Sequence, residues 1–376
     1  MAGIYFHFPF CRQACHYCNF HFSTQLNYQE EMLDAFEREI QLRIEELPSH
    51  LESIYFGGGS PSLLSTHSIA QLINGVYKFV KPDEKVEITV EVNPDDVSYK
   101  YLKELKSVGV NRLSIGLQSF FDAELKLMNR IHNVGQGIDS IEWTAQLFDN
   151  FSVDLIYGIP SSDLSTWKTN LNRVLTFNPP HLSIYALTVE PKTVLAYQVK
   201  NNKVEQLDEE LVKSQYDLTV ARLEEANYEN YEFSSFSKSG YNSINNSNYW
   251  KGKAYVGIGP AAHSFDGKRK RSWNVSNNVK YMKSIKEGIL PSRYENLKLR
   301  EAFNEYLMTG LRTSWGVSLE KVNQSFGSHY SKYLEEKAEK YLAENRLYWD
   351  GDTLKISKSA KFLSDGIASD LFILKD

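Results

Sequence analysis

Cys11-Arg-Gln-Ala-Cys15-His-Tyr-Cys18 is the stretch on which the reading of this chain turns. It follows Ile4-Tyr-Phe-His-Phe8, whose β-branched and aromatic residues predict a first strand. The spacing is C-x3-C-x2-C, and these 3 cysteines are all that the 376 residues contain. An odd, clustered set is a poor disulfide framework and a good metal loop. Thiolates on one short loop can hold three irons of a cubane iron–sulfur cluster, leaving a fourth iron with no cysteine and free for a small chelating ligand. The alternative is structural zinc, with His7, His16 or His21 completing a Cys3His set. Zinc knuckles usually belong to small domains that fold around the metal. This loop instead stands at the end of the first strand of a long α/β series, which favours iron and sulfide.

Working outward, the first half alternates strand and helix signals. Apolar residues repeat every four from Tyr28 through Met32, Phe36 and Ile40 to Ile44, predicting a helix over 28–47, with Asn27 and Glu30 as a capping box. A strand from Ile54 runs into Gly57-Gly58-Gly59, and helical spacing returns over 68–80. Further strands are predicted over 86–92, 113–117, 153–156 and 182–187, with helical segments at 99–108, 121–128, 137–148 and 164–175 between them. Six β–α units in series imply a parallel sheet, curved by right-handed crossovers into an open or partial (β/α)6 barrel. This α/β, TIM-like unit is expected to occupy residues 1–190.

A barrel extension and loop region is expected over 191–294. It holds a long amphipathic helix over 207–225, a strand-like stretch over 228–236 and irregular Gly/Asn/Ser-rich chain over 241–272 around a short strand at 255–258. Gly257-Ile-Gly259-Pro-Ala-Ala262 superficially resembles a dinucleotide fingerprint, but the polar segment after it does not predict a helix. Residues 295–376 read as a smaller α+β, winged-helix-like domain: helices over 297–311, 319–326 and 331–345, then a hairpin over 347–356 turned by Asp350-Gly351, then a last helix. Its 12 basic and 13 acidic residues favour a packing or lid role over DNA binding.

Composition sets outer limits. With 42 basic and 47 acidic residues and a net charge of −5, the chain lacks the basic excess of a general nucleic-acid binder. No apolar run reaches the ~18 residues of a membrane-spanning helix. Met1-Ala-Gly-Ile reads as the start of a strand and not as a signal peptide. The expected location is the cytoplasm, or the periphery of a membrane.

The cysteine loop resembles that of the radical S-adenosylmethionine (SAM) superfamily. The match extends through Tyr5-Phe-His-Phe-Pro, Cys18-Asn-Phe20, Gly57-Gly-Gly-Ser-Pro61, Glu91-Val-Asn-Pro94, Ser114-Ile-Gly-Leu-Gln118, Asn129-Arg130, Asp154-Leu-Ile-Tyr-Gly-Ile-Pro160 and Gly257 to Phe265. These stretches are similar to those of the oxygen-independent coproporphyrinogen III oxidase group, over nearly the whole chain, and within it to the heme-chaperone branch. The start at the first strand and Cys18-Asn19-Phe20, where the oxidases carry a further cysteine, both point to that branch.

The resemblance implies a 4Fe-4S cluster on Cys11, Cys15 and Cys18, and SAM chelated at the open iron, where one-electron cleavage yields a 5′-deoxyadenosyl radical. It assigns SAM contacts to Gly58, Gly59, Ser60, Glu91, Gln118, Arg130 and Asp154, with Tyr5 and Tyr17 packing near the cluster and adenosine and Ala186 in backbone contact. It implies heme or another porphyrin as cargo, heme-acceptor proteins and an electron donor as partners, and no catalytic residue. The rival activity within the group is oxidative decarboxylation of coproporphyrinogen III in porphyrin biosynthesis. One departure stands out. The heme-chaperone pattern His-Asn-x-x-Tyr-Trp reads Asn245-Asn246-Ser-Asn-Tyr249-Trp250 here. An amide is a poor axial ligand beside an imidazole. Asn246, Tyr249 and Trp250 remain the heme candidates, His263 is a candidate substitute ligand although a buried structural histidine is the expected reading, and Lys268-Arg-Lys-Arg271 is expected to be a solvated turn within reach of propionates.

Overall fold

The computed structural model describes residues 2–206 and 208–374. Twelve strands form one sheet: β1 Ala2–Phe8, β2 His50–Gly58, β3 Lys81–Val92, β4 Arg112–Gln118, β5 Phe151–Tyr157, β6 His181–Ala186, β7 Glu229–Glu232, β8 Ser235–Ser237, β9 Ala254–Ile258, β10 His263–Phe265, β11 Lys270–Asn274 and β12 Ser292–Asn296. Their order is β12-β11-β10-β9-β1-β2-β3-β4-β5-β6-β8-β7. From β9 to β6 every neighbour is parallel. The parallel run therefore has one strand more than the six expected. Ala254 to Ile258 returns from the second half of the chain and pairs with Ala2 to Phe6.

Period-two alternation decides which way each strand faces. Ile4, Phe6 and Phe8, Ile54 and Phe56, Ile88, Val90 and Val92, Leu113, Ile115 and Leu117 all join one apolar core with the surrounding helices. The residues between them are polar. Register aligns Glu91 with Ser114, Ser114 with Ser152, and Ser152 with His181 across four strands. A sheet that is apolar on its helix side and polar on the other offers ligand positions at the carboxyl ends of its strands.

Several expectations need correction. The helix after the cysteine loop spans Gln29–Leu42, and its N-cap Tyr28 makes no side-chain cap bond. Asn27 lies in a 3-10 turn, Leu26–Tyr28, so the capping box with Glu30 does not form. Residues 241–272 are ordered, holding a helix at Ile244–Trp250 and strands β9, β10 and β11. Tertiary partners supply what local propensity lacked: buried Glu87 on β3 accepts the Ile244 and Asn245 N–H groups at 2.9 and 3.0 Å, closing the helix N-terminus. The segment 228–236 is a hairpin, β7 and β8, and a helix at Val194–Lys200 was not foreseen. Of the long helix predicted over 207–225, Leu207 lies outside the described residues and the remainder forms Glu209–Glu225. His263 is exposed on β10 and stacks on Trp273 with ring centroids 6.0 Å apart, so it is not a buried histidine. The glycine motif is the β9–β10 corner: a Cβ on Gly257 would meet the His263 carbonyl oxygen at 2.1 Å.

A second apolar core, with Phe303, Leu307, Val322, Leu334 and Leu354 at 0% exposure, lies in the C-terminal region. Helices Leu299–Leu311, Leu319–Phe326 and Ser328–Ala343 precede a hairpin, Leu347–Asp350 and Thr353–Ile356, to which Val317–Ser318 adds a short third strand. That is the order of a winged helix. Arg312 fastens it to the sheet, its guanidinium 5.4 Å from the Trp250 ring and 5.1 Å from the Phe233 ring. Ser314 N–H donates to the Tyr231 carbonyl at 2.9 Å.

Candidate functional site

The cysteine loop leaves the carboxyl end of β1 and is held there by backbone bonds. Cys11 N–H donates to Ser23 O at 3.1 Å, and His16 N–H to Met128 O at 3.1 Å. Asn129, at φ 60°, donates its side-chain N–H to Ala14 O at 2.7 Å, and Gln13 donates to Asn129 O at 2.9 Å. The loop is thereby clipped to the turn that carries Arg130.

All three thiols line one cleft of about 460 Å³ at the mouth of the sheet. Burial, with Cys15 and Cys18 nearby adding to it, pushes the Cys11 thiol up to about 12, and burial also raises Cys18. No histidine lines the cleft among the described residues. His16 Nδ1 bonds the Leu127 carbonyl at 2.9 Å, and His21 Nε2 bonds Asn278 Oδ1 at 2.7 Å. His7 has both ring nitrogens engaged, with Tyr5 and with His21 O, and burial lowers it to about 4. The expected fourth ligand for zinc is therefore absent. Three thiols on an open cleft fit a cluster with one vacant corner.

Gly58, Gly59 and Ser60 run beside this loop. Gly59 N–H donates to Phe8 O at 2.8 Å and Ser60 N–H to Phe10 O at 2.7 Å. A Cβ on Gly59 would come within 2.5 Å of the Phe10 oxygen, so the approach of the two backbones admits glycine alone. Gly59→Ala should therefore displace the cysteine loop and reduce reconstituted iron by at least about half, read by iron assay on folded protein. Native-like iron content would show that the backbones can part.

Glu91, Gln118, Arg130, Asp154, Tyr17 and Ala186 line the same cleft. Gln118 ends β4 at φ 70°, a left-handed backbone at a register shift. Such strain held by its surroundings concentrates at functional sites. Arg130 donates to Asn93 Oδ1 at 2.6 Å, to Gly116 O at 2.9 Å and to the Cys15 sulfur at 3.4 Å. Burial pulls its pKa down, but Tyr17 and Cys15 outweigh that and hold it above the ordinary value. Asp154 accepts from Ser114 at 3.0 Å and Ser152 at 3.0 Å, and burial raises it. Tyr5 does not line the cleft. It stacks on Tyr55, centroids 5.9 Å apart, in the sheet floor. Asn93 went unnoticed in the sequence. It donates to Ser60 Oγ at 2.8 Å and bridges to Arg130, and period two from Glu91 would have found it.

Glu91 is the titrating group of the cleft. Burial, with Asp154 adding to it, lifts its carboxyl from 4.5 to about 7 against hydrogen bonds from Tyr55 and the Gly58 N–H and the charge of Arg112. The folded chain thus binds this proton more tightly than the unfolded chain. The stabilising contribution is complete below pH 4.5 and is lost as pH rises through about 7. Glu91→Gln should consequently gain thermal stability relative to the native chain as pH goes from about 5 to 8. A melting-temperature difference that is flat with pH would contradict this.

A larger cavity, about 960 Å³, lies between the sheet, the Ile244–Trp250 helix and the C-terminal region. Asn246, Tyr249 and Trp250 line it, and Tyr185 belongs to its wall as well as to that of the cysteine cleft. Asn245 does not line it. It is 6% exposed, and its Oδ1 accepts from Ser53 at 3.2 Å against the sheet. Lys268, Arg269 and Arg271 also line this cavity, so the basic turn is more than a solvated hairpin.

The parallel sheet with a three-cysteine loop after its first strand defines a radical SAM protein. The Radical SAM superfamily matches residues 5–173, and the HemN C-terminal domain matches residues 297–363. A heme chaperone HemW from Bacillus subtilis (strain 168) is 34% identical over 354 residues, 92% of this chain and 93% of that one. Another from Lactococcus lactis subsp. lactis (strain IL1403) is 30% identical over 378 residues, 99% and 97% of the two chains. Coproporphyrinogen III oxidase (HemN) from Escherichia coli superposes with a TM-score of 0.85 at 20% identity, covering all of this chain (100%) and 90% of that one. The chain belongs to the HemW family. Superfamily membership implies a 4Fe-4S cluster and SAM. No helix among the described residues is long and apolar enough to cross a membrane.

Proposed function

We propose that this chain is a heme chaperone that holds a 4Fe-4S cluster on Cys11, Cys15 and Cys18, binds SAM in the same cleft, and carries heme in the second cavity for delivery to acceptor proteins. One observation carries the reading: the cysteine cleft and a larger aromatic cavity meet at one shared wall residue, Tyr185. When bound, the cluster supplies single electrons and SAM a source of radicals. This chain's own residues supply the binding. Gly58, Gly59 and Ser60 bring backbone and a hydroxyl to the ligand's methionyl end. Glu91 offers a carboxyl poised near neutrality for its ammonium, Arg130 a fixed cation beside Cys15, and Gln118, Asp154 and Ala186 the adenosine side. Tyr17, half-buried, covers one side of the sulfur ligands, and Tyr5 backs the floor through Tyr55.

In this reading residues 1–190 carry the radical SAM barrel, 191–294 its extension with the heme helix, and 295–376 the winged-helix-like cover. An electron donor and heme acceptors are the expected protein partners, in the cytoplasm or at a membrane surface. Two assays on the full chain test it. Ferric heme should bind with about one equivalent per chain, and coproporphyrinogen III with SAM and reductant should give no protoporphyrinogen. Robust turnover would make the protein a coproporphyrinogen III dehydrogenase, and absence of heme binding would overturn the reading.

A further inference from the structure

The heme-chaperone reading leaves open what holds the iron once position 245 is asparagine. Asn245 is turned into the sheet, and the second cavity has no histidine, cysteine or methionine among its described walls. Its carboxylates are committed elsewhere. Glu305 pairs with Arg271 at 2.5 Å, and Glu232, 4% exposed, accepts the Ser234 N–H at 3.1 Å. Phenols are what remains. Tyr306 accepts the Ser318 N–H at 3.1 Å, and Tyr185 belongs to the wall shared with the cysteine cleft. The hydroxyls of Tyr249 and Tyr255 make no hydrogen bond among the described residues. The two rings lie 4.3 Å apart, with Phe265 6.4 Å beyond Tyr255. Tyr255 is thus a wall packed between two rings, whereas Tyr249 is 38% exposed at the cavity face.

Charge completes the match. Lys251, Lys268, Arg269, Arg271, Arg312 and Lys321 line the cavity against two carboxylates, although the whole chain carries −5. Lys268 and Arg269 hold no ion pair among the described residues, and the Asp266 carboxylate fixes their turn by accepting both their N–H groups, at 2.8 and 2.9 Å. Aromatic walls with a cationic rim suit a planar apolar ligand bearing two carboxylates.

We propose, resting on the heme reading, that ferric heme in this cavity is ligated by the phenol oxygen of Tyr249, with its propionates on the Lys268–Arg271 turn. As the iron–oxygen bond forms, the phenol proton leaves to solvent. Phenolate is an established class of axial ligand for ferric heme.

Ferric heme and metal-free protoporphyrin IX titrated into the full chain test this. The native chain should give a high-spin ferric spectrum with a phenolate-to-iron charge-transfer band. Tyr249→Phe should abolish the band and weaken ferric heme about 10- to 100-fold, while protoporphyrin IX, which has no iron, binds as before. Tyr255→Phe should keep the band. Asn245→His should leave the spectrum unchanged, because that side chain faces Ser53. A native spectrum of the low-spin imidazole type, a band that survives Tyr249→Phe, or an imidazole signature gained by Asn245→His would overturn the ligand assignment while heme binding stands. A native chain that binds neither ligand would overturn the heme reading itself. Should Tyr249→Phe lose protoporphyrin IX as well, the tyrosine shapes the cavity and the ligation proposal fails.

Discussion

Cys15→Ser is expected to leave anaerobically reconstituted protein with almost no cluster. Three thiols line the cleft, no fourth cysteine exists to replace one, and no histidine lines the cleft among the described residues. Losing a direct ligand exceeds the loss of an outer-shell partner, which itself costs about 10- to 100-fold in affinity. The expected fall in cluster affinity is therefore on the order of 100-fold or more. Cys15 is also the sulfur that Arg130 approaches at 3.4 Å, so its loss leaves that guanidinium with Asn93 and Gly116 alone. His16→Ala is the matching control. Its ring bonds the Leu127 carbonyl and should be dispensable for iron. Iron and sulfide assays with visible absorbance read both variants. A His16→Ala protein stripped of metal, or a Cys15→Ser protein that keeps it, would contradict the cluster assignment.

Glu39→Ala should be the most destabilising single change away from the cleft. Glu39 is 0% exposed on the Gln29–Leu42 helix and accepts from Arg43 at 2.7 Å, Asn274 at 2.7 Å, Gly259 N–H at 2.8 Å and Tyr281 at 2.5 Å. Four donors from three parts of the chain converge on one carboxylate, tying the first helix to the β9–β10 corner. Removing it leaves the Arg43 charge, 1% exposed, with only the half-exposed Glu46, at 2.6 Å, as a charged partner. Breaking such a pair from one side costs about 3–5 kcal/mol, since the remaining charge stays desolvated. The exposed pair Lys213–Asp217 at 2.7 Å is the contrast, worth about 0.3–0.5 kcal/mol as an i,i+4 helix pair. Urea denaturation of Glu39→Ala and Asp217→Ala compares them directly. A Glu39→Ala loss below about 1 kcal/mol would mean that Arg43 finds water or another partner.

The cysteine loop was legible because its information is local: three residue types at fixed spacing after an apolar alternating run. The strands β1 to β6 were legible for the same reason, since alternation is a property of neighbours. What escaped depended on distant partners. Residues 255–258 read as a short strand in irregular chain, and only pairing with β1 makes Ala254–Ile258 the seventh parallel strand. The Ile244–Trp250 helix carries asparagines that favour turns, and its first N–H groups are satisfied by Glu87, more than 150 positions earlier. Asn27 and Glu30 had the pattern of a capping box, but a 3-10 turn moved the helix start past it.

The site divides the same way. The cluster and SAM residues singled out in the sequence converge on one cleft except Tyr5, which lies behind Tyr55, and Asn246, Tyr249 and Trp250 line the second cavity. Asn93, which joins Ser60 to Arg130, sits two residues from Glu91 and could have been read from strand periodicity. Which of Asn245 and Tyr249 faces the cavity could not, because that is set by how the helix docks on Ser53 and Glu87.

The central claim is that Cys11, Cys15 and Cys18 hold a cluster with one iron open to SAM. Electron paramagnetic resonance of the reduced, anaerobically reconstituted chain, recorded with and without SAM alongside metal analysis, tests it most directly. About four iron and four sulfide per chain, with a cluster signal that shifts on adding SAM, is the predicted result. A colourless protein holding about one zinc per chain, or a cluster signal indifferent to SAM, would contradict it.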